Sequence, residues 1–242
     1  ARWMEAELRN ALVEDLDQLI RLHDRELDAE TLAALRTAAF PGGLALSAAD
    51  EAGEAAFANM AAALREDPTL DELAADYAAI YLNNSCGASP YESVWLSDEH
   101  LACERPMFEL REIYAAAGWQ VGDWRSRFDD HLVLQLQYLR RVLATAAVDP
   151  EQLANFIDEH IGYWLPDWGQ RVASHCGTRF YAALAELTWV WLLRFRELLG
   201  EIHDLPLPSR ERTGEKIRRK LALDKAEVAP IRFMPGVQGP SW

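Results

Sequence analysis

Apolar positions recur along this chain at helical spacing. Leu8, Leu12, Leu16, Leu19, Ile20 and Leu27 predict an amphipathic helix over residues 4–27. A second helical run, Thr31 to Ala39, is closed by Phe40-Pro41-Gly42-Gly43. Ser47-Ala48-Ala49-Asp50 resembles a capping box, so a helix is expected to start near Ala48. It carries Phe57, Met60, Ala61 and Leu64 and ends before Asp67-Pro68. Leu73, Tyr77, Ile80 and Tyr81 put one apolar stripe on a helix over residues 70–82, which Asn83, Asn84 and Gly87 stop. The following loop is rich in large apolar groups: Pro90, Tyr91, Val94 and Trp95. It either folds inward as core or lines a surface that something else occupies.

Pro106 fits the first position of a helix running to Ala117, with Gly118 as its stop. Residues 119–128 lack sustained periodicity and form the expected linker between an N-terminal part, 1–118, and a C-terminal part, 129–204. Asp129 or Asp130 would cap a helix with Leu132, Leu136 and Leu139 on one face. Asp149-Pro150 starts another, with Leu153, Phe156, Ile157, Ile161 and Trp164 inward, and Leu165-Pro166 is expected to break it. A short helix from Asp167 to His175 follows. The run from Arg179 to Leu199 is apolar on most sides and should be central. No period-two strand runs occur, so the expected fold is all-α, bundle-like, in two closely packed halves.

Composition narrows the partners. With 242 residues, half of them hydrophobic, the chain can bury a sizeable core. The formal net charge of −15 argues against nucleic acid. That charge is unevenly spread: the tail 205–242 holds eight Lys or Arg against four Asp or Glu, +4, which leaves −19 on residues 1–204. Such a tail either lies on the acidic body or is a solvated terminus. Cys86, Cys103 and Cys176 show no paired spacing, and no apolar run reaches the ~18–20 residues of a membrane span. The opening Ala-Arg-Trp-Met-Glu does not read as a secretory signal, and the expected location is the cytoplasm.

Catalytic signatures are missing. His100, Cys103, His175 and Cys176 lack metal-ligand spacing, and no phosphate-binding loop or nucleophile elbow occurs. No cofactor or metal is expected. Trp164, Trp168, Trp189 and Trp191 read as core. Asp130 beside His131 could form an acid–base pair; the plainer reading has Asp130 as a helix cap with His131 on the first turn. The Tyr77/Ile80/Tyr81 stripe, the Pro90-Tyr91 loop and the Asp130-His131 helix start also suit gripping a peptide. Aromatic groups would bury apolar residues and Asp130 would pair with an arginine.

At these residues the sequence resembles the TorD/DmsD family of cytoplasmic chaperones that mature molybdenum-containing redox enzymes. The resemblance covers about residues 70–200. It rests on Tyr77-Ala-Ala-Ile-Tyr81, Ser89-Pro-Tyr-Glu-Ser-Val-Trp95, Asp130-His131-Leu132 and Arg179-Phe-Tyr-Ala-Ala-Leu-Ala-Glu-Leu187, four segments in family order. Two positions differ: Phe128, where the family often has proline, and Gln135, where some members have glutamate. The resemblance implies a non-enzymatic protein, monomer or dimer. It would bind the twin-arginine signal peptide of a molybdoenzyme catalytic subunit in its apo form and assist cofactor insertion before export. By position, Tyr77, Ile80, Tyr81, Pro90, Tyr91, Asp130 and His131 would bind the peptide. Other readings stand beside it: an assembly scaffold recognising folded respiratory subunits, or an enzyme using Asp130 and His131. Lys216-Ile217-Arg218-Arg219-Lys220-Leu221 loosely resembles a twin-arginine segment and could compete for the same groove.

Overall fold

A computed structural model describes residues 4–46, 50–96, 100–102, 104–122, 126–146 and 149–227, with side chains as far as Ala222. Helix α1 (Ala6–Asp24) buries Leu12, Leu16, Leu19 and Leu22 along one stripe. Helix α2 (Ala29–Thr37) is capped by Asp28, which accepts the Thr31 amide at 2.7 Å. Helix α3 (Glu51–Arg65) starts later than expected. Its cap is Asp50, accepting from Gly53 N–H at 2.8 Å, while Ser47-Ala48-Ala49 lie outside the described residues. A full capping box between Thr69 and Glu72 opens α4 (Leu70–Tyr77). The same rod continues as a π-helical turn, Ala78–Leu82, closed by Asn83 N–H on the Ala78 carbonyl. A single turn, α5 (Ser93–Leu96), stands in the loop that follows.

Helix α6 (Arg105–Ala116) carries Pro106 in its first turn, where no intrahelical N–H is needed, and gives way at Gly118, whose φ is +69°. Helices α7 (Leu132–Thr145), α8 (Pro150–Glu159) and α9 (Ile161–His175) come next. The break expected at Leu165-Pro166 lies instead at His160, whose φ and ψ are −112° and −104°. Pro166 sits inside α9. It costs that helix one backbone bond, but Trp164, Leu165 and Trp168 around it are fully buried and hold the rod in place. Helix α10 (Arg179–His203) is buried on most of its circumference and packs on α9, α3, α8 and α4. Among the described residues all regular structure is helical apart from one isolated β-bridge, Tyr91 with His131.

One apolar core runs through helices from both sides of residues 119–128, joined across them chiefly by α1 on α7 and α3 on α10. Two buried carboxylates tie distant segments together. Asp15 of α1 accepts from the Ala45 amide at 2.9 Å and from Trp191 Nε1 at 2.8 Å. Asp76 accepts from the amides of Gly177 and Thr178 at 2.8 and 2.7 Å and from the Thr178 hydroxyl at 2.6 Å, joining α4 to the α9–α10 junction. The basic tail does lie on the acidic body as far as it is described. Helix α11 (Arg210–Glu227) packs on α8 and α9, with Lys216 and Lys220 both paired to Glu159. Residues 228–242 lie outside the described residues.

Candidate functional site

Three segments far apart in sequence meet around Tyr81. The π-turn that ends the α4 rod inserts one residue per turn and sets Ile80 wholly inside, with Tyr81 beside it in the aromatic core. The Tyr81 ring lies 4.8 Å from Tyr77, 6.2 Å from Tyr181, 6.4 Å from Trp168 and 6.5 Å from His131, centroid to centroid. Tyr91 stands edge-on to His131 at 4.9 Å, and Phe128 packs on Tyr91 at 5.7 Å. The loop 88–93 is pinned to the start of α7 through its backbone. Leu132 N–H donates to the Pro90 carbonyl at 2.8 Å, and Glu92 N–H to the Asp130 carbonyl at 3.1 Å. Trp168 Nε1 holds the Ala88 carbonyl at 3.1 Å. Of the two readings of this loop, inward packing prevails for Ala88, Ser89, Pro90, Glu92 and Ser93, all buried.

The cluster rests on His23. Its Nδ1 is 2.6 Å from the Tyr81 hydroxyl and its Nε2 is 2.8 Å from Thr188 Oγ1. The Thr188 hydroxyl proton is committed to the Leu184 carbonyl at 2.8 Å, so Thr188 can only accept from His23. The imidazole is therefore the neutral Nε2–H form, and Nδ1 accepts from Tyr81. Burial supports this by lowering the His23 pKa to about 3. Burial likewise raises the Tyr81 phenol well above its ordinary value. Tyr77 turns its hydroxyl away from the cluster and donates to the Asp24 carbonyl at 2.8 Å.

The helix start at 129–131 is arranged differently from expectation. His131 caps α7, Nδ1 accepting from Val133 N–H at 3.1 Å, which frees both aspartates for other partners. Asp129 takes Arg111 at 2.8 Å. Asp130 is wholly buried; one oxygen, Oδ2, accepts from the Ser93 hydroxyl at 2.6 Å and the Ser93 amide at 2.9 Å. Its other oxygen, Oδ1, is buried with no partner. Burial pushes the Asp130 carboxyl up to about 6 against the pull of the two Ser93 bonds, and the Glu92 charge adds to the rise. Asp130 and His131 thus serve different partners, and the acid–base pair of the enzyme reading is not formed.

A second buried layer lies behind Asp130. Gln135 Nε2 donates to Glu92 Oε2 at 2.8 Å and to the Asp130 carbonyl at 3.1 Å, and its Oε1 accepts from Trp164 Nε1 at 3.4 Å. Glu92 Oε1 meets His160 Nδ1 at 2.9 Å. Burial disfavours the His160 imidazolium, but the Glu92 carboxylate prevails and holds the ring's pKa above its usual value. Glutamate at 135 would set a second carboxylate against Glu92. The neutral amide found here avoids that repulsion.

The seven residues expected to bind a peptide thus lie around one cluster, five of them largely inaccessible. Ile80 and Asp130 have no exposed surface, Tyr77, Pro90 and His131 are buried, and Tyr81 and Tyr91 are half-buried. Sequence reasoning missed His23, Ser93, Gln135 and His160. Ser93 sits inside a quoted motif and Gln135 is one of the two positions that differ from the family, whereas His23 and His160 are lone polar residues among apolar ones and gave no signal. Trp164, Trp168 and Trp191 are core, as expected; Trp189 is half-buried. His100 and His175 hold nearby carbonyls, and Cys103 lies outside the described residues. No three His, Cys, Asp or Glu side chains among the described residues converge on a metal position. No helix among them is long and apolar enough to cross a membrane.

Comparison with known proteins places this architecture. The family described as "Nitrate reductase delta subunit" matches residues 45–169. The chain is similar to the chaperone protein TorD of Vibrio cholerae serotype O1, 28% identical over 148 residues, 57% of this chain and 66% of that one. It is 34% identical to the TorD of Shewanella oneidensis over 145 residues, 57% of this chain and 65% of the relative. The TorD of a further Shewanella species is 32% identical over 148 residues and is covered to 68%. The chain therefore spans slightly under two thirds of the first two relatives. Both relatives are named as chaperones, not as enzymes. With just over half of its length matched, the chain belongs to the nitrate reductase delta subunit family, the group of the TorD/DmsD-type chaperones.

Proposed function

We propose that this chain is a cytoplasmic maturation chaperone. It binds the twin-arginine signal segment of a molybdoenzyme catalytic subunit in its apo form and assists cofactor insertion before export. Family membership supports the class of function. The observation that carries the site is the buried carboxylate of Asp130 with one oxygen unpartnered, next in sequence to His131, whose ring packs on Tyr91. A guanidinium supplies the missing donors and favours the charged carboxylate that burial opposes. The apolar residues that follow the paired arginines would then pack on Tyr81, Tyr91 and Phe128.

Asp130 is sealed by Ser93, so the peptide gains access when the single turn α5 and the Tyr91-Glu92 backbone swing outward. A one-turn helix has little stability of its own, which makes this segment the natural gate. Calorimetry against a twin-arginine signal peptide tests the reading, with an Arg-Arg→Lys-Lys peptide as control. Wild type should bind more tightly to the arginine peptide, and Asp130→Asn should lose about 1–3 kcal/mol of that binding. Equal affinity for both peptides, or an Asp130→Asn variant that binds as wild type does, would remove Asp130 from the site.

A further inference from the structure

Helix α11 occupies a cleft between α6 and α8 that is acidic before α11 fills it. Its inward face is built by Arg210, Thr213, Gly214, Ile217, Lys220 and Leu221, a stripe with helical spacing. Arg210 pairs with Asp167 at 2.7 Å, and the Gly214 backbone lies so close to Tyr163 that a Cβ there would stand 2.7 Å from its hydroxyl. Lys216 and Lys220, one helical turn apart, both reach Glu159, and Lys220 lies 3.9 Å from Glu109. Between the lysines Ile217 is buried at 7% exposure. Under Ile217 and Leu221 the cleft is lined by Glu92, Glu109, Glu159, Pro106 and Leu96, with His160 and Arg105 at its edges.

Arg105 pairs with Glu109 and the His160 imidazole with Glu92, so the cleft keeps an acidic excess at Glu159, and α11 sets both of its lysines against it. The docking is nevertheless slight. Lys216 is 57% exposed and Lys220 34%, against 12% for Glu159, and ion pairs this open change a docking equilibrium by a few-fold each. Among the described side chains of α11 the body buries Thr213, Gly214 and Ile217. Helix α11 is therefore held mainly by charge complementarity and by its short tether, Leu205–Ser209.

We propose that this cleft is a docking site for a basic amphipathic segment of a partner polypeptide, with two cationic side chains one helical turn apart around an aliphatic residue. In the free protein α11 fills it in cis. Within one chain α11 lies on α8 and α9 rather than in the Tyr77/Tyr81 groove, for which Lys216-Ile217-Arg218-Arg219-Lys220-Leu221 is expected from the sequence to compete in its own or a neighbouring molecule. The cleft adjoins the Tyr81–Asp130 cluster through Glu92, His160 and Leu96 but includes neither Tyr81 nor Asp130.

The test uses the full chain and, as probe, a fluorescein-labelled synthetic peptide of residues 209–227. K216E/K220E undocks α11 by repulsion from Glu159. The variant should bind the probe roughly ten-fold more tightly than wild type, because the competitor tethered at millimolar effective concentration is gone. Adding Glu159→Gln to the variant, which neither repels nor recaptures α11, should weaken probe binding several-fold, with far-ultraviolet dichroism losing no more than the helix of α11 itself. A probe with both lysines replaced by arginine and its outward-facing residues scrambled should bind equally well. Wild type and K216E/K220E binding the probe alike, neither binding it, or indifference to Glu159→Gln would each overturn the assignment. So would a wild-type mass of two chains that falls to one in K216E/K220E, which would give the cleft to a second copy.

Discussion

Asp130→Asn should stabilise the protein at neutral pH while impairing peptide binding, and the size of the gain follows from the burial of this carboxyl. In the folded chain it titrates at about 6, against 3.8 when unperturbed. At 1.36 kcal/mol per pH unit, the folded state disfavours the charged form by about 3 kcal/mol. The direction is fixed by proton binding. Between those two values the folded chain holds more proton than the unfolded one, so stability falls as pH rises through the window and stays lower above it. An asparagine carries no charge to desolvate and keeps an acceptor for Ser93. Its weaker bonds to Ser93 are already contained in that figure, because the neutral carboxyl has the same weaker bonds. The gain at about pH 8 is therefore about 3 kcal/mol, or about 6–12 °C in Tm for a chain of this size. At about pH 4 the two proteins should melt together, because Asp130 is then neutral in the folded wild type. Thermal dichroism at both pH values checks this. A variant that melts lower than wild type at the higher pH, or that shows the same gain at both, would refute the argument from burial.

Two other perturbations probe the frame around the site. His23 is buried neutral with its pKa lowered to about 3, so the folded chain resists a proton that the unfolded chain takes up near 6.5. Stability is therefore intact above that value and declines as pH falls below it; His23→Gln should reduce the acid slope by about 1.4 kcal/mol per pH unit, read from urea unfolding between about pH 6.5 and 4.5. His131, also lowered by burial, should keep a slope of the same sign in that variant. Gly162→Ala would set a Cβ 2.6 Å from the Ile157 carbonyl oxygen, and the backbone at the α8–α9 junction must shift; urea denaturation should show a loss of about 1–3 kcal/mol. An unchanged midpoint would mean that the junction yields freely.

The helical class was legible because burial in this fold follows single stripes. Leu12, Leu16 and Leu19 of α1, or Leu132, Leu136 and Leu139 of α7, each lie on one face and nowhere exposed. What escaped the pattern were features decided by contacts distant in sequence. The cap of α7 is His131, not an aspartate, because Arg111 and Ser93 claim the two carboxylates from other segments. Pro166 remains inside α9 because its neighbours are buried against the core, and local propensity could not weigh that. The π-turn at Ala78–Leu82 has no marker in the residues that form it. The site motifs were legible as motifs, but their exposure was not. A run such as residues 89–95 reads alike whether its rings face outward or, as here, pack half-buried, Tyr91 on His131 and Trp95 on the Ser89 carbonyl.

Helix α5 makes sense of that closure. Four residues form no stable helix alone, so α5 exists through what grips it. Ser93 is held by Asp130 from the α7 side, and Trp95 Nε1 bonds the Ser89 carbonyl at 2.8 Å within the loop. On the other flank Glu92 is fixed by Gln135 and His160, and Leu96 lines the cleft that α11 covers. The strongest of these grips is also the most strained: a carboxylate with its pKa pushed up to about 6 and half of its acceptor capacity unused. A segment meant only to be rigid would gain from asparagine at that position. Retaining the charge favours the closed turn less and an incoming cation more, which is the balance that the gate proposed over a peptide site would require.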